Sequence, residues 1–194
     1  MPTKTIDEFT SFRVTEMHIG IIGVDGTYGG LTAEGCINDI EVEPEAREIT
    51  KTCEGVQVLN RQQIDYLTLT INAHFNPGIL RKMDGLTNEG LEVGVYGYPK
   101  YPKGAQLVIT AKVKDENQIV KYIAFPKVSA PNGLSFSIDD TEDEVQLSER
   151  ELRAYNDVND MSYYEAFESE LESDEIKAQW LTEFTPELVK SLVV

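Results

Sequence analysis

Apolar and polar positions alternate most regularly between Asp65 and Phe75. Leu67, Leu69, Ile71, Ala73 and Phe75 share one face, and Tyr66, Thr68, Thr70, Asn72 and His74 share the other. A repeat of two built from β-branched and aromatic residues predicts a strand packing one side on a core. Asn76-Pro77-Gly78 ends that strand and starts a short helix through Met83, because Asn caps and Pro fits a first turn; Gly85 stops it. Shorter runs predict further strands: His18 to Val24, followed by a loose turn between Asp25-Gly26 and Gly29-Gly30, then Leu91 to Tyr96 and Leu107 to Val113. Ile119 to Phe125 is expected to pair antiparallel with Leu107 to Val113 across Asp115–Asn117, and Leu134 to Ile138 alternates apolar residues with serine. From Asp39 to Glu54 an Ile40/Val42 alternation is interrupted by Pro44. This segment reads either as a long projecting hairpin or loop reaching Leu59, or as a kinked edge strand. Many short strands and one small helix predict a mainly β fold, a sandwich or barrel rather than a βαβ architecture.

The pattern changes after Leu147. Ser148 to Tyr155 reads as two helical turns or as a continuation of the last strand. Met161 to Leu171 places Tyr164, Phe167 and Leu171 at helical spacing, and Glu175 to Phe184 does the same with Ile176, Trp180, Leu181 and Phe184. Thr185-Pro186 is expected to open a last short helix through Leu192. Charge divides in the same region. Residues up to Ile138 hold 17 acids and 13 bases, and those after hold 17 acids and 4 bases, so −4 stands against −13. The expected organisation is a β body over 1–147 and an acidic, partly helical extension over 148–194. The apolar stripes of the extension would pack on the body or on a neighbouring subunit.

The whole chain has 194 residues and a formal charge of −17, which disfavours a duplex-DNA reader working by phosphate neutralisation and an anionic membrane surface. No apolar run is long enough to span a bilayer, and the start lacks the basic and apolar regions of a secretory signal. The expected compartment is the cytoplasm.

Motifs that carry chemistry are weak. Gly20, Gly23, Gly26 and Gly29 repeat every third residue, but no helix follows and no Gly-Lys-Ser/Thr occurs, so turn glycines are the reading. His18 and His74, the only histidines, lie on different strands and are read as surface or interface residues. Cys36 and Cys53 are read as small hydrophobes. The run Asp139, Asp140, Glu142, Asp143 and Glu144 has a calcium-like composition without the central EF-hand glycine, and is read as an acidic solvated surface. Acid pairs such as Glu43/Glu45 and Glu170/Glu172 would serve glycoside chemistry only in a cleft, and no serine sits in a G-x-S-x-G context. No catalytic residue, cofactor or metal is expected.

Three features together carry a resemblance: the strand from Tyr66 to Phe75 running into Asn76-Pro77-Gly78-Ile79-Leu80, the strand-turn-strand from Leu107 to Phe125, and the closing Gly133 to Ile138. Over about Gly20 to Leu147 the chain resembles the major tail tube proteins of long-tailed, siphovirus-type bacteriophages, especially those of Gram-positive hosts. The segment after Leu147 departs from that pattern. The resemblance implies a β-sandwich or barrel with a flanking helix, and a structural virion protein rather than an enzyme. Six copies would form a ring, and stacked rings would form the phage tail tube in the virion after assembly in the host cytoplasm. It also implies tape measure and tail terminator or initiator proteins as partners, and DNA passing through without specific binding. Stacking in the family uses a long loop and chain termini. The loop corresponds here to Glu41, Glu43, Glu45, Arg47, Glu48, Lys51, Val56 and Leu59. Two other expectations stand beside this one: a tube protein of a contractile injection system, and a monomeric carbohydrate- or host-surface-binding β-sandwich using Tyr96, Tyr98 and Tyr101 as an aromatic platform.

Overall fold

A computed structural model describes residues 9–10, 13–53, 56–136 and 147–190. The chain is mainly β, and the described residues form eight strands in one antiparallel sheet and two short helices. In chain order these are β1 (Arg13–Ile22), β2 (Thr32–Ala33), β3 (Ile37–Cys53), β4 (Val56–Ala73), α1 (Pro77–Met83), β5 (Gln106–Lys114), β6 (Val120–Ser129), β7 (Ser148–Ala154), β8 (Tyr164–Phe167) and α2 (Asp174–Gln179). The spatial order is β2-β1-β5-β6-β7-β4-β3, with β8 also on β6. β1 and β3 stand far apart in this order yet pack against each other, so the sheet curls round on itself like a sandwich.

The curl encloses one core. Met17 and Ile19 of β1, Leu69, Ile71 and Ala73 of β4, Ile109 of β5, Phe125 of β6 and Leu152 of β7 meet inside it, with Phe75 following β4. The alternation read between Leu67 and Phe75 therefore marks the inner face. α1 closes one end: the Asn76 side chain accepts from the Gly78 amide, Ile79 and Met83 are buried, and Gly85 leaves the helix at φ +74°. No side chain fits easily at that φ, and a Cβ on Gly85 would stand 2.9 Å from the Lys103 nitrogen.

A second apolar cluster covers the outer face of β5 and β6. Val108, Tyr122 and Ala124 point outward and are sealed by Trp180 and Phe184 from the end of the chain. The Trp180 Nε1–H donates to the Ile123 carbonyl at 3.2 Å. The chain after Leu147 thus packs on the sheet of its own subunit, and its first piece, β7, is an internal strand between β6 and β4.

The helix expected over Met161 to Leu171 is not formed. Tyr164–Phe167 is strand β8, paired with Lys121–Ala124 of β6. The free edge of β6 supplies backbone partners there, and the chain finds apolar ground on both sides: Tyr163, just before β8, against the inner core, Tyr164 and Ala166 against the outer cluster. β6 shares one edge between two strands, β8 at Lys121–Ala124 and β7 at Val128 and Ser129. Pro126, which has no amide to donate, falls in the gap between them. Residues 186–189 form a turn rather than the start of the short helix expected through Leu192, of which residues 191 and 192 lie outside the described residues, and α2 is shorter than the stripe from Glu175 to Phe184.

The strand expected at Leu91 to Tyr96 is also absent. Leu91 N donates to Asn88 O and Val95 N donates to Glu92 O, closing two successive turns. Gly90 at φ +73° and Gly94 at φ +87° hold the third position of each, the signature of type II turns. Leu134, Ser135 and Phe136 are irregular rather than strand, and residues 137 and 138 of that expectation lie outside the described residues.

Candidate functional site

Strand direction divides the molecule into two poles. β4 is joined by β7 only from Leu67 to Ala73, whereas β3 and β4 stay paired with each other from Ile37↔Ala73 out to Cys53↔Val56. Beyond Pro44↔Leu67 the hairpin pairs, among the described residues, with nothing but itself, and the nine residues from Glu45 to Cys53 extend it on the order of 30 Å past the body. It is a two-stranded arm, the hairpin alternative of the sequence reading. β-Bulges at Glu45/Ala46 and Lys51/Thr52 twist it, and Pro44 sits on the edge strand, where its missing amide costs no ladder bond.

The residues singled out for assembly lie along this arm. Glu41, Glu43 and Glu45 alternate along β3 opposite Thr70, Thr68 and Tyr66, and all three carboxylates are exposed. Arg47 Nε pairs with Asp65 Oδ1 at 3.1 Å, while Glu48 stands opposite Gln62. Lys51 and Val56 are placed by backbone register alone, opposite Leu59 and Cys53. Over residues 41–50 and 61–65 five acids face two bases, 2 − 5 = −3. Ile64 at 51% and Val42 at 41% exposure add apolar surface.

At the foot of the arm an apolar cavity of about 390 Å³ opens between Val14, Val42, Pro44, Leu67, Val113 and Ile123. Lys121 and Tyr163 also line it. Lys121 Nζ lies 3.1 Å from Glu165 Oε2, and Tyr163 O–H donates to the same oxygen at 2.6 Å. Burial and this hydrogen bond hold the Tyr163 phenol well above its ordinary range, and the Tyr163 bond is also the first cause keeping the Glu165 carboxyl below its own. Tyr122 and Tyr164, bonded to Glu168 and Asp157, are both pushed up to about 12, chiefly by burial. These three carboxylates of the acidic segment serve as acceptors for body and strand tyrosines rather than as a free solvated coat.

The opposite pole gathers the ends of β4 and β6, the start of β5 and helix α1, because β5 and β7 run against their neighbours. Here Thr87 and Gly97 exchange two backbone hydrogen bonds and pinch off a loop whose tip is the Glu92–Val95 turn. Val93 at that tip is 99% exposed and Tyr101 nearby is 77% exposed. Between Arg81 and Lys103 the bases Arg81, Lys82, Lys100 and Lys103 are all exposed, as are the acids Glu89 and Glu92, and exposed Asp39 and Glu149 stand opposite Asn72 at the same end, so the pole carries both signs. The third acid of that stretch, Asp84, is buried and paired with Arg150 Nη2 at 3.4 Å. This patch escaped the sequence reading; the signal that marks it is the pair Gly90 and Gly94, which turns an apparent strand into an outward loop. The aromatic platform is incomplete, since the Arg81 guanidinium lies 4.1 Å from the Tyr96 ring centre and covers that face.

The remaining candidates are dispersed. His18 is half-buried on β1 and His74 follows β4; among the described residues no three of His, Cys, Asp and Glu converge as a metal site. Cys36 is exposed rather than buried, because it lies just before β3 as the chain enters the sheet, and Cys53 ends that 17-residue strand. Extended chain of that length keeps the two backbones on the order of 50 Å apart, too far for a disulfide. Glu43, Glu45, Glu170 and Glu172 are all exposed. Gly23 and Gly29 close the turn after β1, donating to Thr27 and Ile21. Asp139, Asp140, Glu142, Asp143 and Glu144 lie outside the described residues. No helix among the described residues is long and apolar enough to cross a membrane. No protein-family model and no curated protein matches the chain.

Proposed function

We propose that the chain is a structural, self-assembling subunit of a hollow tube of phage tail-tube type, six copies to a ring and rings stacked along an axis. The observation that carries this reading is the arm: about 30 Å of paired two-stranded backbone, exposed over residues 45–50 and 61–65, stands outside the core. A two-stranded ribbon has no hydrophobic face to bury alone, so its use lies in contact with another molecule. Among the described residues β3 also leaves a 17-residue strand edge unpaired, a surface that invites pairing between subunits unless it is covered. Ring closure through such edges would cover it.

Charge supports the conduit role. At −17 per copy, a lumen lined by carboxylates repels phosphates and lets DNA slide, where a basic lining would retain it by counterion release. Tape measure and terminator proteins would be the partners, and the assembled virion tail the location. A monomeric glycan-binding β-sandwich is favoured by one observation only, the exposed rings of Tyr98 and Tyr101. Negative-stain electron microscopy with light scattering over a concentration series separates the two. Rings or hollow tubes are expected; a strict monomer at every concentration would give the binding module precedence.

A further inference from the structure

The cavity of about 390 Å³ at the foot of the arm is apolar on most sides and polar on one. Eight apolar residues from β1, β3, β4, β5 and β6 line it, among them Val14, Val42, Leu67 and Phe125, and the polar groups Lys121 and Tyr163 stand together on one wall. Glu41 and Glu43 alternate with Ile40 and Val42 and so take the other face of β3, which leaves Lys121 as the one charged side chain among the described residues lining the space. That wall already holds a carboxylate. Lys121 Nζ lies 3.1 Å from Glu165 Oε2, and Tyr163 O–H donates to the same oxygen at 2.6 Å. The rings of Phe9 and Phe167, 5.2 and 5.9 Å from Nζ, and the Phe125 ring, 5.4 Å from that of Tyr163, keep both donors on apolar ground. Glu165 is 47% exposed against 17% for Lys121, so the carboxylate is free to turn into water while its two donors stay.

An apolar space with two donors fixed at one side matches a molecule that is apolar along its length and anionic at one end. We propose that the cavity binds a medium-chain fatty acid. The alkyl tail lies between Val14, Val42, Leu67 and Ile123, and the carboxylate accepts from Lys121 Nζ and Tyr163 O–H in the place that Glu165 holds. The volume stands at the small end of the range of about 300–1,000 Å³ typical of ligand cavities, which selects a medium-length tail over a long one. Glu165 is the site's own competitor, displaced to water when the acid binds. The site lies within one copy, so the inference stands apart from the tube reading.

The test titrates octanoate, decanoate and dodecanoate into the full-length chain by isothermal titration calorimetry, each below the concentration at which it forms micelles. Saturable binding of one molecule per chain is expected, tightening about fourfold for each added methylene until the cavity is full. Wild type is expected to prefer decanoate over decanol at least about tenfold, because the head meets two donors, one of them charged. Lys121→Met keeps the stem and removes the charge, and is expected to abolish that preference. Glu165→Ala removes the competitor and is expected to tighten decanoate binding. Val42→Trp, at the 41% exposed lip, fills the space and is expected to weaken decanoate at least about tenfold, the worth of two methylenes. Far-UV circular dichroism checks that each variant is folded; should Val42→Trp not fold, the tail-length series and Lys121→Met still decide. Binding that is not saturable, affinity indifferent to tail length, or a folded Val42→Trp that binds as wild type would overturn the site. Decanol bound as tightly as decanoate, a preference that survives Lys121→Met, or binding that Glu165→Ala leaves unchanged or weakens would overturn the carboxylate clamp.

Discussion

Two buried ionisable groups set the most testable behaviour at the residue scale. Asp84 is 3% exposed and Arg150 10%, and Arg150 also donates from Nη1 to the Ser135 carbonyl, tying α1, β7 and the 134–136 segment together. Burial raises the Asp84 carboxyl above its ordinary range, and the Arg150 charge only partly offsets that. Removing one partner leaves the other charge buried alone, so Asp84→Asn is expected to cost about 3 kcal/mol in urea denaturation. A loss under about 0.5 kcal/mol would show the pair to be dispensable. His18 behaves differently. Burial holds its imidazole below the ordinary 6.5 against the opposing Glu16 charge, and Thr110 and Ala33 stand opposite it on the flanking strands. The folded state therefore takes up this proton at lower pH than the unfolded chain. The stability contribution is full above pH 6.5 and fades as pH falls through the lowered value. His18→Gln is expected to flatten the fall in Tm between about pH 7.5 and about pH 5.5, and a wild-type slope retained in the variant would assign it to other groups.

At the scale of elements, legibility followed local cause. The Leu67–Phe75 face, the Asn76 cap, Gly85 and the β5–β6 hairpin across Asp115 all formed as their sequence patterns require, because each is decided by residues within a few positions. Asp115 Oδ1 accepts from the Ile119 amide at 2.7 Å and fixes that turn locally. β8 was not legible, because Tyr164 and Phe167 suit a helix stripe as well as a strand and the choice fell to the free edge of β6, some 40 residues earlier. The arm is the complementary case, an element whose removal should spare its neighbours. Replacing residues 46–65 by Asn-Gly joins Glu45 to Tyr66 across a two-residue turn. Thermal melting is expected to show Tm within about 3 °C of wild type, since no core residue is lost, while assembly is abolished. Unimpaired tubes from that variant would remove the arm from the assembly contact.

For the whole molecule, the inner core and the outer cluster are two faces of the same β5–β6 ladder, with Ile109 inside and Val108 outside. Neither layer keeps its face buried without the other, so unfolding is expected to be a single transition. Trp180, the only tryptophan, reports the outer cluster by fluorescence, while far-UV circular dichroism reports the sheet. The two probes should give coincident melting curves; a fluorescence midpoint several degrees lower would make the chain after Leu147 a separately melting layer. The sequence by itself determined the mainly β class, the inner face of β4, the capped helix and the acidic charge, since periodicity, turn chemistry and composition are local or additive. Tertiary structure alone decided that β7 lies inside the sheet, that the acidic end of the chain seals the outer face of the sheet, and that the β3–β4 arm and the Thr87–Gly97 loop stand at opposite poles. Those outcomes depend on which strand edges and apolar faces remain uncovered once the sheet has curled, a property of the assembled surface that no local window of sequence contains.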